Sequence, residues 1–505
     1  MTAEKNKFFL FCPVVLVLLL SGCSTIVNSH LQKAPMMEAY IAGDNQSALQ
    51  EINEKLKEPH WYNSSVINTG DELHWQLEAG TIHFYNGNYQ QAIDHFTTAE
   101  KLITQYDERA KISVQDIGAE TGVLVTNLNA LPYRGFCRDR IALNILKSLA
   151  YLGNGKEDSF RAQIKRLRNE QKKVMSDYRE FFDQEQQRLA DAKNENPQSQ
   201  SLFSKYNTIS KLLANGQNTT LAENLKQTSL AANKGYADFL NPAAIFLSAL
   251  VSLRDGNISN ARIDFQRFYE AVPDNPAAQK YFVTALLSDG KEVPETLKDV
   301  LPFDFPLDRD CVFVIFANGR GAAFKQISID IPVSAAWPVC EFYPADFSGI
   351  TAIAGGKAYH STPIADMDGI IAREFEERLP LTVTRIILST AIKEAAKYTA
   401  AAIAYSSSND DENNELAAAL VFAGATIYNA AMNTADTRSW ELLPKEFQLT
   451  QFPMPDDRKI KIELAGKSKL ATGIEIPDFC RSAIIFVNAS SSANVTCHIL
   501  PLYSK

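Results

Sequence analysis

The chain has 505 residues, of which 46% are hydrophobic and 22% charged, and its formal net charge at pH 7 is −9. That is the composition of an ordinary globular protein with room for two or three domains. The acidic balance argues against nucleic acid as a partner, because phosphate recognition needs a basic face.

The N-terminus has a basic start (Lys5, Lys7), an apolar run of 13 residues at 8–20, and small residues Ser21 and Gly22 before Cys23. A run of this length is a signal-peptide core and is too short for an ordinary spanning helix. Leu20-Ser21-Gly22-Cys23 resembles a lipobox, the processing site of bacterial lipoproteins. The resemblance implies that residues 1–22 are removed as a signal peptide. It also implies that Cys23 carries a diacylglycerol on sulfur and an acyl chain on its new amine. Several chains give firm anchoring, where one binds only marginally. By the same resemblance, Ser24 in place of Asp favours the periplasmic face of the outer membrane over the inner membrane. Residues 23–35 are read as a lipid-anchored tether.

Residues 36–300 are read as an α-helical domain. WQLEAGTIHFYNGNYQQAIDHFTTAEKLI at 75–103 resembles a tetratricopeptide (TPR) repeat, a helix-turn-helix unit. Gly80 fits the small position where the helices cross, and Gly87 fits a turn with positive φ. Tyr89, Ala92, Phe96 and Ala99 recur on one helical face. Weaker copies surround Gly43, Gly155 and Gly256, at irregular spacing. Residues 157–194 predict one long helix with a narrow apolar stripe and otherwise charged faces. Residues 201–233 predict a second helical stretch folding back along it.

Residues 301–505 are read as a mixed α/β domain, making the chain α+β overall. From residue 311 the apolar period becomes two, predicting strands at 311–317 and 324–333 about a turn at Asn318-Gly319-Arg320-Gly321. Gly319 and Gly321 do not form a phosphate loop, since the third glycine and the Lys-Ser/Thr pair are missing. Asp366 and Asp368 open a helix, with Asp368 as the N-cap, ending before Pro380. Residues 381–405 and the uncharged 416–432 predict an Ala-rich helical hairpin around a polar loop at 406–415. That hairpin suits close helix packing better than a membrane span, because it is rich in weakly apolar alanine and carries Asn429. Antiparallel strands return at 446–454, 458–464, 483–487 and 495–500.

The segments Asn318-Gly319, Ala365-Asp366-Met367-Asp368, Glu377-Arg378-Leu379-Pro380 and above all Ala435-Asp436-Thr437-Arg438-Ser439-Trp440 with Leu443-Pro444 resemble an uncharacterised family of bacterial lipoproteins. That family joins a helical repeat region to a shared C-terminal domain. The resemblance implies no activity.

No catalytic or metal-binding constellation emerges. His30, His60, His74, His83, His95, His360 and His498 show no H-E-x-x-H spacing, and no G-x-S-x-G elbow occurs. No cofactor is expected. Asp436, Arg438 and Trp440 form either a small site or a buried ion pair under an indole. In an exported protein Cys311, Cys340, Cys480 and Cys497 are candidate disulfide partners, or with Cys137 they are buried thiols. The sequence thus predicts a non-enzymatic scaffold, anchored by lipid on Cys23, that binds unidentified envelope proteins through its repeats. The alternative is an oligomerising or membrane-inserting component of an envelope secretion or pore assembly.

Overall fold

A computed structural model describes residues 28–60, 63–113, 132–195, 208–213, 218–331, 333–405, 434–466 and 470–504. The fold is α+β, with helices in the N-terminal half and sheets in the C-terminal half. Cys23, the 406–415 loop and the 416–432 stretch lie outside the described residues.

Four helix-turn-helix pairs carry the first half: α1 (Ser29–Ile41) with α2 (Asn45–Lys55), α3 (Glu72–Tyr85) with α4 (Tyr89–Ser113), α5 (Cys137–Gly153) with α6 (Glu157–Glu195), and α9 (Pro242–Arg254) with α10 (Ile258–Ala271). Between the last two pairs lie the short α7 (Ile209–Leu213) and α8 (Thr219–Ala232), and α11 (Pro276–Ser288) follows. The turn glycines Gly43, Gly87, Gly155 and Gly256 all take positive φ, where a side chain would be strained. Gly80 is needed for a different reason. A Cβ there would sit 2.6 Å from the Phe96 ring, so only glycine lets α3 and α4 approach so closely.

The folded body reaches further toward the N-terminus than the sequence indicates. The stretch read as a tether to residue 35 is helical from Ser29, with Lys33 and Met36 buried. Among the described residues of 201–233, α8 rests chiefly on α12 (Met367–Tyr405) and β3 (Val333–Glu341), and its Leu221 shares an apolar cluster with Leu189 of α6 and Leu212 of α7.

The second half holds a five-stranded sheet in the order β11 (Val495–Ser504), β10 (Cys480–Ala489), β1 (Cys311–Asn318), β7 (Glu446–Pro453), β6 (Thr362–Asp366). It is mixed rather than antiparallel, because β1 and β10 pair in parallel with Val312 opposite Ala483. A second sheet runs β5 (Lys357–His360), β4 (Phe347–Ala354), β8 (Lys459–Gly466), β9 (Leu470–Glu475). The Gly319 turn does not join a hairpin: β2 (Ala323–Ile331) leaves the five-stranded sheet and pairs with β3.

β1 is buried along its whole length, which explains its unbroken apolar sequence. Its odd-numbered side chains Phe313 and Ile315 join the helical core, and its even-numbered Val312, Val314 and Phe316 meet the second sheet. The five-stranded sheet is therefore the middle layer, with helices on one face and the four-stranded sheet on the other. The first helix of each pair faces it. Tyr40, Phe84 and Phe246 share one apolar cluster with Phe313, Phe447 and Phe486, and Phe84 meets Phe486 at 5.0 Å between ring centroids.

Three further expectations are corrected. α12 runs unbroken through Pro380. A proline there forfeits one backbone hydrogen bond, but the turns before and after it are both held by packing, Phe375 in one cluster and Leu381, Val383 and Ile387 in another. The cap of α12 is Asp366, whose Oδ1 accepts from Gly369 N at 2.8 Å, while Asp368 turns away to accept from Ala322 N at 2.7 Å. Finally, Cys311, Cys340, Cys480, Cys497 and Cys137 are all free thiols. Cys497 stands opposite Val487, seven positions along β10 from Cys480, a gap of roughly 23 Å at strand rise. Cys311 and Cys340 belong to different sheets. Burial pushes the thiols of Cys311, Cys340 and Cys497 up to about 12.

Candidate functional site

Residues 434–444 cross the helical layer as an irregular strap, and the three residues singled out in the sequence all lie on it. Asp436 and Arg438 do pair: Arg438 Nε and Nη2 donate to the two carboxylate oxygens of Asp436 at 2.8 Å each, and Nη1 donates to Asp71 at 3.1 Å. Burial pushes the Asp436 carboxyl up, but the Arg438 guanidinium outweighs this and holds it below the usual range. The ring beside the guanidinium is Tyr133 and not Trp440. Trp440 points the other way. Its Nε1 donates to Thr81 Oγ1 at 3.0 Å, in the buried interior of α3, and the indole packs near Phe96. The three residues thus form a structural strap and do not converge on an open site.

Beneath the strap lies a network that sequence reasoning missed. Lys33 and Glu78 are fully buried and pair at 2.6 Å. Lys33 also donates to the Ser439 carbonyl. Glu78 accepts from the backbone of Glu441 at 2.8 Å and Leu442 at 3.1 Å. Burial raises the Glu78 carboxyl, and Lys33 opposes it. His74 is buried one turn away with neither ring nitrogen hydrogen-bonded among the described residues. Burial, then Lys33 and Arg438, hold its pKa well below 6.5, so it stays neutral. A signal was present in the sequence. Residues 72–85 place Glu72, Glu78, His74 and Gln76 around the helix with no polar face, which suits a helix enclosed on all sides.

A second buried junction joins α5 to α12. Glu374 accepts from Cys137 N at 2.8 Å and from Arg138 Nη1 at 3.1 Å, so it caps the N-terminus of α5 from another element. Arg138 stacks over Phe136 at 4.0 Å, and Tyr133 donates to Asp139.

The outward side of the helical layer carries a cleft of about 500 Å³ between α4, α5 and α6. Glu100 lies in it, holding Lys147 at 2.6 Å, Gln163 at 2.9 Å and Arg166 at 2.9 Å. Lys101, Tyr151 and Arg166 line it. His83 and His95 stack on α3 and α4, with His95 bonded to Gln76 at 2.7 Å. Burial lowers both imidazoles, His95 to about 4. Among the described residues no group of three or more His, Cys, Asp or Glu side chains is placed to hold a metal ion. No described helix is long and apolar enough to cross a membrane. No protein-family profile matches the chain, and neither a curated protein nor a solved structure matches it.

Proposed function

We propose that this protein is a lipid-anchored envelope scaffold that recruits other proteins through its helical pairs, read as TPR-like, and carries out no catalysis. The observation that carries this reading is the division of the helical layer into two faces. The inward face is filled by the chain's own five-stranded sheet. The buried titratable groups beneath the strap and at α5 pair across elements instead of facing a cleft. The outward helices α4, α6 and α10 are left with polar surface, and the cleft around Glu100 is open between two of them and α5. Partner binding is therefore assigned to the outward face. The lipobox-like Leu20–Cys23 segment supplies the membrane end, at the periplasmic face of the outer membrane.

The test is site-specific photo-crosslinking in cells, from Arg166 on the cleft rim and from Asp274 on the α10–α11 turn, with and without Cys23→Ala. A discrete adduct from Arg166, absent from Asp274 and lost when Cys23→Ala releases the protein from membranes, is the expected result. Indistinguishable labelling from both positions overturns the placing of the partner at the cleft end of the outward face. A Cys23→Ala protein that fractionates like wild type overturns the anchor.

A further inference from the structure

The first described residue, Asn28, and the stretch of chain that begins at Thr434 are tied to one point. Asn28 caps α1: its Oδ1 accepts from His30 N at 3.0 Å. The same Oδ1 accepts from Thr437 Oγ1 at 2.7 Å. Two residues before Thr437, Ala435 N donates to Gln326 Oε1 of β2 at 2.8 Å. Around this knot stand His30, bonded to Glu441 at 3.3 Å and 3.7 Å from Glu341, and Lys325, paired with Glu341 at 2.6 Å. Beside them Leu31 holds out a large apolar side chain, 63% exposed, from the first turn of α1.

Chain length then limits where a lipid on Cys23 can be. Asn28 is five residue steps from Cys23, and at roughly 3.3–3.6 Å per step the two lie no more than roughly 18 Å apart. A bilayer that holds those acyl chains has to lie close to the Asn28 side of the body.

We infer that the face around Asn28 and Thr437, with Leu31 exposed on it, is apposed to a lipid surface. This rests on the lipid-anchor reading and adds an orientation to it. The sheet-filled body is held against the bilayer by the strap end of the molecule. Leu31 contributes a small apolar contact with the lipid, its partly charged neighbours lie at headgroup level, and the cleft around Glu100 is left for partners. A lipid surface fits better than a protein partner because the anchor forces proximity to lipid at this side whatever else binds there.

The experiment uses the full acylated chain, purified from membranes and reconstituted into vesicles of three parts phosphatidylethanolamine to one part phosphatidylglycerol. An environment-sensitive fluorophore is placed on Leu31→Cys and, separately, on Asp274→Cys, with wild type labelled in parallel for the native thiols. A lipid-borne quencher is expected to reduce emission at position 31 several-fold more than at position 274. Equal, weak quenching at both positions, in protein shown by mass to be acylated and by flotation to be vesicle-bound, overturns the orientation but leaves the anchor standing. Unacylated protein overturns both. Shielding of position 31 that persists in detergent without vesicles shows that a second copy covers the face, and overturns the lipid assignment.

Discussion

The two buried junctions meet the same physical problem with different redundancy. Beneath the strap, Glu78 has one cationic partner, Lys33, and two backbone amides from Glu441 and Leu442. At α5, Glu374 has Arg138 and Arg378 as well as the Cys137 amide, and Arg138 has Asp139 in reserve at 3.7 Å. Among the described residues the first junction holds a single ion pair, so removing either partner leaves a buried ion without its partner. The second keeps a carboxylate for its guanidinium whichever acid is lost. Of these two junctions, the one beneath the strap is thus the more sensitive to loss of a single carboxylate.

Glu78→Ala sharpens this contrast with the largest expected effect. It strands Lys33 and two amides, and is expected to cost about 3–5 kcal/mol in denaturant unfolding. Glu374→Ala is expected to cost about 1–3 kcal/mol, mainly through the orphaned amide of Cys137. Equal losses in the two variants would break the comparison.

A smaller effect is expected from pH. His74 is neutral in the fold, with its pKa well below 6.5, and is free to ionise when unfolded. Its contribution is therefore fully present above about pH 6.5 and is lost as pH falls below that. Other groups titrate in the same region with the opposite sign. Asp368 is raised to about 6 by burial, against Lys445, so it favours the folded state as pH falls through 6. His30 is raised by its hydrogen bond to Glu441, so its contribution is present below about 6.5 and is lost as pH rises through its folded value. Comparing wild type with His74→Phe isolates the strap. Wild type is expected to lose more thermal stability than the variant between pH 7 and pH 5, and parallel curves would remove His74 from the account.

Local chemistry made much of the helical half legible. Gly43, Gly87, Gly155 and Gly256 each mark a turn that needs positive φ, and Gly80 marks a helix crossing, so single residues reported geometry directly. The strands at 446–454 and 495–500 were legible from apolar content. What was hidden depends on contacts distant in sequence. The parallel pairing of β1 with β10 joins residues about 170 positions apart. Pro380 reads as a helix end, and only tertiary packing on both sides of it keeps α12 continuous. In the candidate site, the Asp436–Arg438 pair is two residues apart and was readable. Glu78 carried only the signal of a helix with no polar face, which does not name its partner, and Lys33 carried none, because an isolated lysine in a helix normally points to solvent. Their burial follows only once the strap, some 400 residues later, lies across them.

The helical pairs and the sheet that fills their inward face form one cooperative unit, closed by the strap. Native-state hydrogen exchange at low denaturant tests it most directly, by comparing the amides of α3 at 72–85 with those of β10 at 480–489. Both sets are expected to merge into a single global opening as denaturant rises, and to fall together in Glu78→Ala. If α3 opens in a separate step while β10 stays protected, and Glu78→Ala affects α3 alone, the two halves are independent and the claim is contradicted.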